Sequence, residues 1–427
     1  MQIISQSKNK KWDTSSKGIK MKEKISYSQA KEILNSQTIK PCGTTRVFLY
    51  NSLDRILAKD IFAPSDMPEF PLSNMDGYAI NSTMLEKSKG IFEILRENPA
   101  GNQEILELPP NKPLAIKTFT GAAIPKNADM LIPIENVEKL ENKIKITKIS
   151  QIGEFIRQKG DNYKQGEKLL ACGIQINPNH IGLLASLNQI FVEVYEKPKV
   201  GILVSGNEIL ELGETKPNPN SFYNANGYLL YAKILANGGI PKLYPILKDD
   251  ESKIRSCLDI ALRECDLVIS TGGASVGDYD FIRKISQEWE NQIIFRGVQI
   301  KPGQHILYAH FNQKPFFALP GFPNSTLVTF ELFVKEILIR LSRGRFTQEV
   351  LEVILQEDLS KKDPRMEFRI CNIRNKQGHF EIDFEGKKDF QSAILNNFCP
   401  LDNAKIGLAM LAKDTYKAGE KISVLRL

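Results

Sequence analysis

Three loops that carry carboxylates follow apolar runs of strand character. Ser205-Gly206-Asn207-Glu208 comes after VGILV, Asp249-Asp250 after KLYPILK, and Gly272-Gly273-Ala274-Ser275, with Asp280 five residues further on, after DLVIST. In an open α/β sheet ligands collect at the carboxyl ends of strands, where loops and helix N-termini present free backbone N–H groups. Glycines at 272 and 273 let the backbone approach a phosphate, while Ser275 and Asp280 supply polar ends. A lone Gly-Gly turn is more often an ordinary strand-to-helix connection. Glu208, Asp249 and Asp280 recurring at one sheet edge shift the balance toward a site. Carboxylates near phosphates repel them unless a hard cation bridges, and oxygen donors on loops suit Mg2+. Glu208 and Asp249 are the metal-ligand candidates.

Further along, Lys301-Pro302-Gly303 follows a strand, where the ammonium is a compact charge able to hold an oxyanion; a surface-loop lysine is the plain alternative. In LPGFPNS the prolines fix a turn, and Asn324 or Ser325 is placed to cap the next helix. Asp76 in MDGYA and Thr120 in TGAAIP each sit in a turn-like segment, uninformative singly.

The elements that must position these residues follow from the apolar pattern. Ser26 and Gln29 form a capping-box signature ahead of Ala30, Ile33 and Leu34, which marks a first helix. Residues 61–152 read as short strands, the last two joined across Glu141-Asn142, and so as a β domain inserted in a discontinuous mixed helical domain, 25–60 and 153–197. Residues 198–344 alternate strand and helix, which predicts a doubly wound parallel sheet closed by a helix bearing Leu327, Phe330, Val334, Ile337, Leu338 and Leu341. Residues 345–427 return to strands and form a C-terminal β domain; residues 1–24, with seven lysines, read as a tail. The fold class is multidomain α/β plus β.

Composition excludes several alternatives. The chain has 427 residues, 42% hydrophobic and 25% charged, which is globular and too long for one core. No run approaches the length needed to span a bilayer and the start lacks a secretory signal, so a cytoplasmic protein with no membrane association is expected. The net charge of +7 is spread along the chain, which suits small anionic ligands better than nucleic acid. Six cysteines without a C-x-x-C pair, and four scattered histidines, give no disulfide framework or zinc spacing.

Taken in order, LSNMDGYAI, TGAAIP, SGNEIL, STGGASVGDYDF, IKPG and LPGFPNS resemble the molybdopterin molybdenumtransferase family, the MoeA and gephyrin type, over roughly residues 25–427. The resemblance implies a homodimer with a MogA-like molybdopterin-binding domain and a C-terminal β-barrel-like domain. It also implies hydrolysis of adenylylated molybdopterin while molybdate enters the dithiolene, with AMP released. Its acidic and basic positions fall on Asp76, Glu208, Asp249, Asp280 and Lys301, the catalytic candidates. Ligand-binding candidates are Thr120, Ser205, Gly272, Gly273, Ser275, Pro302, Gly303, Arg369 and Ser392. The chain departs from the family pattern at Asn162, at Gln304, where a second basic residue is usual, and at Phe322, where an amide is usual. Two other functions fit some of these features: the related adenylyltransferase step, and a non-catalytic scaffold of the gephyrin kind. The retained carboxylates and Lys301 favour an enzyme.

Overall fold

The computed structural model describes residues 22–272, 292–311, 313–376, 378–387, 395–400 and 402–427. Gly273, Ser275, Asp280 and Ser392 lie outside the described residues. The chain forms two compact units, one of residues 1–58, 173–181 and 190–427, the other of 59–172 and 182–189.

The larger unit is built on a sheet whose order is Lys22–Ile25, Ile293–Val298, Leu307–Phe311, Lys314–Leu319, Leu267–Thr271, Lys199–Val204, Ile240–Leu243. Its central strands are almost uninterrupted apolar runs because both faces are covered. Ile202 and Val204 point into a core with Leu230, Ile234, Val328 and Leu338, whereas Leu203 and Val268 pack with Ile254, Leu258 and Ala261 on the opposite face. The helices Ala225–Ala236 and Glu251–Glu264 thus cover opposite sides, as doubly wound topology requires. The expected all-parallel sheet is mixed instead: Leu307–Phe311 runs antiparallel to both neighbours. A short hairpin after Phe311 reverses the chain where a parallel crossover would need a dozen or more residues.

Two other expectations are corrected. Residues 22–24 do not belong to a tail, because Lys22–Ile25 adds a parallel edge strand in register with Phe295 and Val298; Ile25 is buried in the main core. The closing helix is broken into Pro323–Thr329, a π-helical turn Phe330–Val334, and Lys335–Leu341. All six residues of its expected apolar stripe are buried. The extra residue of the π turn also buries Glu331, which takes Lys233 Nζ at 2.7 Å and Lys335 Nζ at 3.1 Å.

The C-terminal sheet runs Ile300–Lys301, Met366–Lys376, Lys405–Leu411, Lys421–Arg426, Val350–Ile354, with His379–Asp383 paired to Met366–Lys376. Its own core contains Val353, Cys371, Ala409, Tyr416 and Val424. The two-residue strand Ile300–Lys301 joins this sheet in parallel, pairing Ile300 with Met366 and Lys301 with Glu367.

In the smaller unit a six-stranded sheet is ordered Met130–Pro133, Gly77–Ile80, Leu114–Thr118, Ile91–Asn98, Lys143–Ile146, Val137–Leu140. Tyr78, Phe92, Ile132 and Ile144 fill one face, and Ala79 and Leu131 belong to a separate apolar cluster with Ile124. Strand Ile156–Arg157 pairs with Leu72–Ser73, and Lys168–Leu170 with Ile61–Phe62. Residues 153–172 therefore join the β unit, not the helical segment expected from sequence.

Candidate functional site

At the carboxyl edge of the large sheet the strands Lys199–Val204 and Leu267–Thr271 pair in register through Val204 and Thr271. Gly272 lies directly beyond, at φ +89°, and a Cβ there would stand 2.3 Å from Ser205 O. Only glycine fits so close an approach. Asn226, in the first turn of its helix, donates through Nδ2 to Thr271 Oγ1 at 3.0 Å and to Gly321 O at 2.7 Å. One amide thereby ties together the loops after two adjacent strands.

The first carboxylate loop is held by reciprocal bonds. Asn207 N donates to Asp249 Oδ2 at 3.3 Å, and Asp249 N donates to Asn207 Oδ1 at 3.2 Å. Gly206 N also donates to Leu247 O at 3.0 Å. The loops bearing Glu208 and Asp249 are therefore neighbours, as their predicted positions at strand ends require. Within the Asp249-Asp250 pair the roles separate: Asp250 caps the helix Glu251–Glu264, accepting from Ser252 N and Lys253 N, which leaves Asp249 to the loop contact. The donor set of Glu208 and Asp249 is all oxygen and suits a hard cation. Among the described residues no three Asp, Glu, His or Cys side chains gather as a metal site; the third sequence candidate, Asp280, is outside them.

A second site, a cavity of about 270 Å³, is lined by Lys301, Gly303, Gln304, His305, Asn324, Ser325, Arg365, Glu367, Arg369, Lys387 and Asn397, among others. Lys301 and Glu367 meet here because their strands pair, and Lys301 Nζ lies 3.7 Å from Glu367 Oε2. Arg369 Nε donates to Glu367 Oε1 at 2.7 Å. Glu367 is buried, and its Oε2 takes no hydrogen bond among the described residues. At Gly303 the chain turns with φ +104°, and a Cβ would stand 2.5 Å from Thr329 Cγ2. Four cationic side chains, Lys301, Arg365, Arg369 and Lys387, thus line the same cavity as one carboxylate, Glu367. The electrostatics agree: burial, then the Arg365 and Lys24 charges, push the His305 imidazole toward its neutral form. Burial pulls the Lys387 ammonium down.

Of the sequence candidates, Lys301, Pro302, Gly303 and Arg369 come together in this cavity, while Ser205, Gly272, Glu208 and Asp249 lie at the sheet edge. Asp76 and Thr120 meet in the smaller unit, where Thr120 donates to Asp76 Oδ1 through both N and Oγ1 at 2.7 Å. Those bonds hold the Asp76 carboxyl below its usual range. Asn324 and Ser325 do not cap. Phe322 occupies the cap without a side-chain bond and Pro323 opens the helix, so the two polar residues fall inside it and line the cavity. Arg365, His305, Lys387 and Asn397 were not candidates. Arg365 stands just before the strand Met366–Lys376, where no alternation marks it.

A doubly wound α/β domain joined to β domains, with an anion-suited cavity and a carboxylate-bearing sheet edge, defines a multidomain α/β plus β protein built to hold an anionic ligand. Residues 25–188 match the MoeA N-terminal region (domain I and II), and residues 201–340 match the probable molybdopterin binding domain. A molybdopterin molybdenumtransferase from Nostoc sp. is 33% identical over 70% of this chain and 69% of its own length. One from Bacillus subtilis is 31% identical over 78% and 79%. The crystal structure of the molybdopterin biosynthesis MoeA protein from Pyrococcus horikoshii superposes with a TM-score of 0.78 at 28% identity, over 95% of this chain and 100% of that one. The chain belongs to the molybdopterin molybdenumtransferase family.

Proposed function

We propose that this chain is a transferase of molybdenum cofactor biosynthesis that inserts molybdenum into molybdopterin. Molybdate is the metal source, adenylylated molybdopterin the acceptor and AMP the nucleotide released. The observation that carries the reading is the cavity in which Lys301, Arg365, Arg369 and Lys387 surround a space of about 270 Å³. A tetrahedral dianion needs several N–H donors from different directions, and Arg and Lys supply them as charge-assisted bonds. Glu367 holds Arg369 in place and offsets part of the positive charge, leaving a surplus for the anion.

At the sheet edge, Ser205 and Gly272 place backbone where a phosphate can be approached closely. Glu208 and Asp249 would hold Mg2+ there. When bound, the ion supplies charge neutralisation at the phosphate bridge that water cleaves. Asp280 is assigned to orienting the attacking oxygen, while Asp76 belongs to the catalytic set and Thr120 to the ligand-binding set by family position. The same reading carries a homodimer acting in the cytoplasm, and sedimentation of the purified chain checks the dimer.

The test mixes the purified chain with adenylylated molybdopterin, molybdate and Mg2+, and follows AMP and mature cofactor together. Lys301→Ala is expected to lower kcat/KM for molybdate by roughly 10-fold or more, the scale of one lost charge-assisted contact in the transition state. AMP release that ignores molybdate, in wild type and variant alike, would remove the basis for the reading.

A further inference from the structure

Arg365 is a heavily constrained cation of the cavity. Its Nε donates to Asp363 Oδ1 at 2.7 Å, one terminal nitrogen donates to Asp363 Oδ2, and the other donates to Gln304 Oε1. Its backbone N donates to Asp363 Oδ1 at 3.0 Å. A guanidinium has five N–H donors, so three are committed to holding the side chain and two remain among the described residues. The turn that carries it is fixed from beneath by Lys361, whose side chain is fully buried. Lys361 Nζ donates to Asp363 O at 2.7 Å, to Arg365 O at 3.1 Å and to Asp414 Oδ1 at 3.3 Å.

A buried lysine spent on two carbonyls of one three-residue turn is an unusual use of a charge, since burying an ammonium is costly unless it is bonded. The cost is explained if the turn must hold its shape. The position facing Arg365 is Gln304, an uncharged side chain whose oxygen accepts from the guanidinium where a basic residue would repel it. Asp363, close against Arg365, is not itself among the cavity-lining residues.

We propose that Asp363 and Gln304 are positioning residues that fix the Arg365 guanidinium so that its two remaining donors serve the oxyanion, with Lys361 locking the turn from which it projects. The inference rests on the functional reading above. It assigns to Asp363 no contact with substrate; its effect passes through Arg365. A fixed fork loses little freedom on binding, so the arrangement acts on affinity for the oxyanion more than on the rate of chemistry. The ion pair with Asp363 also keeps the Asp363 carboxyl ionised far below the usual range, so the clamp does not loosen at mildly acid pH.

The experiment is a double-mutant cycle on the full chain with two readouts: equilibrium binding of molybdate alone, and molybdate-dependent AMP release. Asp363→Ala is expected to weaken molybdate binding, and to raise the molybdate KM, by roughly 10-fold, with kcat changed less than about 3-fold. Asp363→Glu recovers most of that loss. Arg365→Ala loses as much or more, and Arg365→Ala with Asp363→Ala loses no more than Arg365→Ala, because coupled residues are non-additive. Gln304→Ala, which leaves the turn intact, gives a smaller change in the same direction and stands in if Asp363→Ala does not fold. Additive losses, or a molybdate dependence unmoved by Asp363→Ala or Gln304→Ala while wild type binds molybdate, overturn the positioning role alone. Failure of wild type to bind molybdate at all overturns the functional reading and this inference with it.

Discussion

His310 sits where charge is costly. Its Nε2 is 2.6 Å from the Tyr308 hydroxyl and its ring meets the Tyr308 ring edge-on at 5.1 Å. Burial, with a smaller contribution from Arg340, pushes the imidazole from 6.5 down to about 4. The unfolded chain protonates this histidine at higher pH than the folded one does, so between those two values the unfolded state binds more protons. The contribution is fully present above about 6.5 and is lost as pH falls toward about 4. His310→Gln keeps a hydrogen-bonding group and removes the titration. The acid limb of its stability, followed by urea unfolding between pH 7 and 4, is expected to fall less steeply than that of wild type. Parallel slopes would show that His310 is not a source of acid sensitivity. At this scale the sequence exposed those candidate residues whose neighbours announce a strand end, and the placement followed: Glu208 and Asp249 after apolar runs, and Lys301 before Pro302. Arg365 stayed hidden because its meeting with Gln304 depends on a two-residue parallel pairing of Ile300 with Met366, which leaves no periodic trace. Asn324 and Ser325 were misread as caps because Pro323 starts the helix one step earlier.

Among the elements, the first helix shows how local chemistry sets an end point. Ser26 Oγ accepts from Gln29 N at 3.2 Å while the Gln29 side chain accepts from Ser26 N at 3.0 Å, closing the reciprocal box expected from the spacing. The helix it opens, Tyr27–Ser36, buries Ala30 and Leu34 in the main core and sends Lys31 to the buried Glu336. Ser26→Ala should destabilise this helix by ~1 kcal/mol. Hydrogen exchange of its first-turn amides should then quicken by roughly 5-fold, with little change at the far end of the sheet. Uniform quickening would mean that the cap reports on global stability instead. The doubly wound elements were legible for a related reason: strands covered on both faces are continuous apolar runs, and amphipathic helices separate them. Three features escaped. Lys22–Ile25 is mostly charged and too short to alternate. The π turn at Phe330–Val334 hides buried Glu331 within an apolar stripe. The antiparallel Leu307–Phe311 differs from a parallel strand only in what connects it.

For the whole molecule, each compact unit has an apolar core of its own. The smaller unit centres on Tyr78, Ile80, Phe92, Ile132 and Ile144, drawn from strands of one six-stranded sheet. The larger unit has a core of Val200, Ile202, Phe317, Val328 and Leu338 that shares no residue with it. Units that bury separate cores tend to melt as separate cooperative blocks. Scanning calorimetry is therefore expected to resolve more than one transition. Phe92 is fully buried, and Phe92→Ala removes a ring from the smaller core at a cost of ~3–5 kcal/mol. The transition belonging to that unit should drop by several degrees while the other stays in place, and molybdate binding in the cationic cavity of the larger unit should survive the change. A single transition that moves as a whole would show that the two cores unfold together, and the cavity's affinity would then have to be measured well below that temperature to separate binding from stability.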